Sequence, residues 1–217
     1  MILGLGLATT VGAASLPADR LRPSLVAVDT PDRYALWRAQ HALPADEPVC
    51  EVAWTSTALL CYRVWEGDER RFVLSSDLAA WGATVADLHA IVARAAEAHL
   101  AQAVLVPVEG TPQSYLQLLD GDGWSAAGVL RPDLVVARLG GGPVRMAAPV
   151  QGALLAWRSE GADLDRIMAV GVKEIHDRGP QSVSPHVWEW NGKVWLPFGE
   201  AVPSTPGSQA PGSSPGN

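Results

Sequence analysis

The apolar positions of this chain follow two rhythms. Short apolar or alternating runs bounded by turn residues predict strands. Apolar positions three and four apart predict helices. Residues 49–55 and 57–65 read as two strands rich in Val, Leu, Tyr and Trp, with Thr55-Ser56 as the turn between them. Gly67-Asp68 then turns the chain into a third short strand at 71–74. The strongest helix runs from Thr84 to Ala101, with Val85, Leu88, Val92, Ala95 and His99 on one stripe. Thr84 followed three residues later by Asp87 has the pattern of a capping box. A second long helix spans 162–178, with Leu164, Ile167, Met168, Gly171 and Ile175 as its predicted inner face, and Gly179-Pro180 stops it.

Shorter elements fill the intervals. Asp29-Thr30-Pro31 opens a short helix through Gln40, with a cap residue and then Pro at the first helical position. Strands are predicted at 103–108, 115–119, 144–149 and 153–157. Asp120-Gly121-Asp122-Gly123 is a turn, residues 125–130 fit either strand or helix, and 132–139 form a short helix ended by Gly140-Gly141-Gly142-Pro143. Residues 187–190 and 193–196 flank Asn191-Gly192, the strongest short hairpin signal in the chain. Several strands in mixed order with two long helices predict an α+β fold, a mixed or antiparallel sheet packed against both helices. The expected division is an apolar segment at 1–20, one domain at 21–198 and a tail at 199–217. From Pro203 onward the tail holds only Pro, Gly, Ser, Thr, Gln, Ala and Asn, a composition predicted to stay disordered.

Composition sharpens this picture in three places. A length of 217 residues with 48% apolar and 18% charged residues suffices for a real core without metal or disulfide staples. Sixteen basic against 23 acidic residues give a net charge of −7, which argues against a nucleic-acid partner. No stretch reaches the roughly 18–20 apolar residues of a spanning helix. Residues 1–14 are apolar or small and contain Val11-Gly12-Ala13, the pattern of a secretory cleavage site, yet no Lys or Arg precedes Arg20. The expected location is the cytoplasm, with export as the alternative if 1–14 is a signal segment.

The candidate chemistry is sparse. A two-residue Asn191-Gly192 loop would set Trp190 opposite Lys193 and Trp188 opposite Trp195, all four on one sheet face. Three Trp rings beside a cation form a stacking platform for a sugar or peptide. Buried under a helix, the same face is core, the commoner fate of aromatic faces. Cys50 and Cys61 fall opposite each other if Thr55-Ser56 is the turn. They would form a disulfide in an oxidising compartment and two buried thiols otherwise. The histidines, His41, His89, His99, His176 and His186, form no HxH, HExxH or Cys/His cluster. Asp120 and Asp122 begin like a calcium loop, but Trp124 and Arg131 occupy positions where ligands belong. Asp163 and Asp165 suit the first turn of a helix through its dipole. No nucleophile elbow or catalytic Cys context is present, and no cofactor is expected.

Three segments together resemble the YtpQ-like bacterial domain family of unknown function. They are Phe72 to Gly82 with Thr84 to His89; Trp124-Ser125-Ala126-Ala127 with the strand pair ending at Trp157; and Ser184-Pro185 with Trp188 to Trp195. The similarity covers roughly residues 21–198. It implies an α+β fold and carries no known activity or catalytic residues. The preferred reading is a non-enzymatic module that binds a protein or small ligand. An exported envelope protein and an enzyme with a site assembled from distant residues are the alternatives.

Overall fold

The computed structural model describes residues 15–27, 48–55, 58–67, 69–120 and 123–198. The predicted helix at 30–40, the apolar segment 1–14 and the tail 199–217 lie outside the described residues. Within them the fold is α+β, with two antiparallel sheets and five α-helices. The first sheet centres on β3 (Ala58–Glu66). β1 (Leu21–Ala27) pairs along one edge of it, and β2 (Cys50–Thr55) and β4 (Glu69–Phe72) share the other. The second sheet is six-stranded, in the order β10 (Trp195–Phe198), β9 (Val187–Trp190), β7 (Val144–Val150), β8 (Ala153–Arg158), β6 (Ser114–Leu119) and β5 (Val104–Pro107).

Period-two alternation places each sheet between two environments. On the first sheet, Leu21 and Leu25 of β1 and Leu60, Tyr62 and Val64 of β3 face one large core. On the second, Met146, Leu154, Ala156, Leu116 and Trp188 face that same core, joined by Leu88, Val92, Ala96 and Leu100 of α2 (Val85–Ala101). The other face of the second sheet carries Ala147, Leu155, Trp157 and Val187. It is covered by Leu164, Met168 and Val172 of α5 (Ala162–Arg178). β7 and β8 are therefore buried on both faces, which explains why they read as nearly continuous apolar runs rather than as alternation.

Local signals explain the helix ends. Thr84 caps α2, its hydroxyl accepting the Asp87 N–H while the Asp87 carboxylate accepts the Thr84 N–H. α1 (Ser75–Trp81) was not legible as a helix. It starts where the Asp77 carboxylate accepts the Leu74 N–H at 2.8 Å. The ambiguous stretch at 125–130 is a 3₁₀ turn at Trp124–Ala126 running into α3 (Ala127–Leu130), followed by α4 (Pro132–Arg138).

Three sequence expectations are corrected. Ile167 and Ile175 of α5 are exposed, and the inner face is Leu164, Asp165, Met168 and Val172. Trp157 and Arg145 beneath the helix give the polar Asp165 partners, so the helix turns that side inward. β1 was missed altogether, because Pro23 interrupts its apolar pattern. The hairpin register is also different. Trp190 pairs with Trp195 and Trp188 with Pro197, so the loop has four residues and Lys193 sits in it, off the Trp face. The Asn191 side chain causes this. Its Oδ1 accepts both the Lys193 and Val194 N–H groups at 2.9 Å, and Gly192 supplies a positive φ of 93°.

Candidate functional site

The Trp-rich hairpin is not an open platform. Trp188 and Trp195 are buried in the main core, and only Trp190 is part-exposed, tilted against Trp195 at 5.3 Å between ring centroids. Lys193 is exposed in the loop. Cys50 and Cys61 pair directly across β2 and β3 and are joined by a disulfide. The turn differs from expectation here as well. Thr55 pairs with Ala58, and a register shift between Glu51 and Thr55 brings the two cysteines into line.

Among the described residues, two clefts open on the second sheet, and most of their charged groups have partners within the protein. One, of about 520 Å³, lies at the amino end of α5 and is lined by Arg145, Ser159, Gly161, Asp165, Arg166 and Phe198. Asp165, which the sequence explained by the helix dipole alone, is the hub of this region. It pairs with Arg145 and accepts hydrogen bonds from Trp157 Nε1 at 2.9 Å and Ser159 Oγ at 3.1 Å. Arg145 also reaches Glu189 Oε2 at 3.3 Å, and its guanidinium lies over the Phe198 ring. Two carboxylates answer the one buried arginine, and the network clamps α5 to the sheet. The second cleft, of about 340 Å³, includes Arg138 and Arg158. Arg138 donates to the Leu100, Ala101 and Ala103 carbonyls, closing the carboxyl end of α2, and Arg158 pairs with Glu160.

The outer face of the first sheet is different. Its side chains come from alternate positions: Arg22, Ser24 and Val26 of β1; Leu59, Cys61, Arg63 and Trp65 of β3; Arg70 and Phe72 of β4; and Cys50 of β2. Half of it is apolar, where Val26, Cys61 and Phe72 are buried together. The other half is cationic and aromatic. Arg22 and Arg63 are direct cross-strand partners, an arrangement that like charges disfavour. Neither has a carboxylate within ion-pair distance among the described residues. By contrast, Arg71 engages Glu66 and Asp77, and Arg131 engages Glu97 and Asp133.

Aromatic rings hold these arginines. Arg63 lies over Phe72 at 4.4 Å. Arg22 lies 5.5 Å from the Trp65 centroid and 5.7 Å from that of Trp124, and Arg70 covers Trp65 at 4.2 Å. His99 stacks on Trp124 at 4.0 Å, continuing the ladder from β4 to α2. Arg22 Nη1 is used on the Asp19 and Leu21 carbonyls at 2.8 Å. The Nε atoms of Arg22 and Arg63 are shut off from water without a hydrogen-bond partner. Burial, and secondarily the charge of Arg70, pulls the Arg63 guanidinium below its ordinary value.

The sequence held a trace of this site: Arg22, Arg63 and Arg70 stand beside Trp65 and Phe72 in strand-like runs. Without β1 and its register, no pattern in the sequence joins Arg22 to Arg63. Among the described residues no group of three His, Cys, Asp or Glu side chains is placed to hold a metal ion. No family model, curated protein or solved structure matches this chain.

Proposed function

We propose that the chain is a binding module that holds a ligand or partner by an acidic group on the Arg22–Arg63 face of the first sheet. The observation that carries this reading is two half-buried arginines at directly opposed positions of β1 and β3, neither with a carboxylate within ion-pair distance among the described residues. Such a face leaves a binding free energy available to an incoming anion, because the burial cost of the Arg63 charge and its repulsion from Arg70 are offset when it arrives. The YtpQ-like resemblance of residues 21–198 belongs to the same reading and assigns no activity.

Thermal unfolding with citrate, against sodium chloride at matched ionic strength, tests it. Citrate should raise the Tm of the native chain by mass action on the folded state. Arg63→Gln should remove that rise while keeping the circular dichroism spectrum. A rise of equal size in Arg63→Gln, or no rise in the native chain, refutes the proposal.

The Cys50–Cys61 bridge supports a second statement within this reading: the module works in an oxidising compartment rather than the cytosol the sequence suggested. No helix among the described residues is long and apolar enough to cross a membrane. Intact mass before and after reduction, on protein from its native source, checks the compartment. Two free thiols in the isolated chain would return it to the cytosol.

A further inference from the structure

We infer that the chain pairs with a second copy of itself through one flank of α5 and the strands β5 and β6 beside it. Nine large apolar side chains are exposed among the described residues, and five of them belong to this one surface: Val104, Leu119, Ile167, Val170 and Ile175. The floor of the surface is sheet. Tyr115 of β6 packs into the cluster beneath α5, and strand alternation carries Gln117 and Leu119 onto the same face. Val104 stands opposite Gln117 and Val106 opposite Tyr115, so that face continues onto β5. The wall is helix. Asp165 and Ala169 lie on the flank of α5 that meets Arg145 and Phe198, toward β7 and β10. At about 100° per residue, Ile167 and Gly171 project from the opposite flank, toward β6 and β5. No described element covers the corner, which leaves Val104 55% and Leu119 64% exposed. Clustered apolar exposure of this kind marks an interaction surface.

The charges select a second copy as the occupant. Along the same flank α5 carries Asp163 near its amino end and Arg178 at its carboxyl end, equidistant from the midpoint between Val170 and Gly171. Two copies of α5 laid antiparallel about that midpoint set Asp163 of each against Arg178 of the other. Val170 of each then meets Gly171 of the other. A Cβ added at Gly171 has nothing within 4 Å, so the glycine leaves room for the valine. Within one copy, Asp163 lies 3.7 Å from Arg166 and Arg178 lies 2.9 Å from Glu174. Both pairs are on the surface, where ion pairs hold their side chains weakly. The contact joins them into a row of alternating sign at each end, and it sets the two helix dipoles in opposite directions. α5 has 17 residues and is about 25 Å long. A contact along it falls at the small end of stable interfaces, which corresponds to a dissociation constant of about 1–100 μM.

Sedimentation velocity on the full chain, from about 1 to 300 μM, tests the inference. The native chain should pass from monomer to dimer across that range. Val170→Asp, at a position 63% exposed, should weaken the dimer at least about tenfold and keep the native circular dichroism spectrum and urea midpoint. Asp163→Arg and Arg178→Asp each bring like charges together at both ends of the contact, so each alone should weaken it about tenfold or more. Mixed one to one, these two variants restore opposite charges at both ends, and the mixed dimer should form within about threefold of the native constant. This pair of charge variants keeps the test decisive if Val170→Asp disturbs the fold. A native chain that stays monomeric at about 300 μM overturns the inference. So does a dimer that Val170→Asp leaves intact, or a pair of charge variants that stay monomeric when mixed.

Discussion

Asp165→Ala should be among the most damaging single changes in this protein. The Asp165 carboxylate pairs with Arg145, whose side chain is 9% exposed, and accepts from Trp157 Nε1 and Ser159 Oγ. Removing it strands a buried cation whose other partner, Glu189, is 40% exposed and weakly coupled through solvent. It also leaves the indole N–H of the fully buried Trp157 without its acceptor. Breaking a buried pair in this way costs about 3–5 kcal/mol, a large part of the roughly 5–15 kcal/mol of a typical domain. Urea denaturation measures it. With a slope of about 2 kcal/mol per molar, the midpoint should fall by roughly 2 M. The double variant Arg145→Met with Asp165→Leu separates pairing from packing. Replacing the whole pair by apolar groups should restore stability to within about 1 kcal/mol of native or exceed it. A loss below about 1 kcal/mol for Asp165→Ala, or a double variant as weak as the sum of both single ones, would refute the clamp.

Other tests address other parts of the fold. Trp188→Ala should cost about 3–5 kcal/mol in denaturation experiments, because its ring is wholly inside the main core, whereas Lys193→Ala in the hairpin loop should change stability by less than about 0.5 kcal/mol. Gly152→Ala should destabilise by about 1–3 kcal/mol or more, since a Cβ there would strike the backbone carbonyl of Asp120 and force β6 away from β8; calorimetry reads this as a lowered Tm. Asp87→Ala should weaken the chain near neutral pH only. Hydrogen bonds from the Thr84 hydroxyl and N–H hold the Asp87 carboxyl below its ordinary value. Its contribution is thus present above the unfolded-state value near 4 and lost as pH falls through the lower folded value. Native and variant stabilities, compared by denaturation across that range, should converge in acid; a constant gap would show that the cap does not depend on charge.

Elements with strong local signals were legible. Thr84 and Asp87 fix the start of α2 through groups three residues apart. β7, β8 and the long α5 have apolar patterns that hold wherever the elements are placed. The Asn191-Gly192 signal predicted a hairpin correctly and its register incorrectly. The Asn191 side chain accepts from the Lys193 and Val194 N–H groups and holds both residues in the loop, a choice that propensity does not encode. The α5 face was misjudged for a related reason. Apolarity alone favoured Ile167, but a buried Arg145 and the Trp157 indole made the inward position of Asp165 favourable.

The sequence by itself determined the class of the fold, the two long helices, most of the strands of the second sheet and the net acidity of the molecule. These follow from local periodicity, capping and composition, which act over a few residues. Tertiary structure alone decided the division into two sheets, the burial of Trp188 and Trp195, and the meeting of Arg22 with Arg63. Those arginines are 41 positions apart in the chain, as their numbers show, and only the antiparallel register of β1 on β3 makes them neighbours. Register is set by which face of each strand is buried, and that depends on the core all the elements build together.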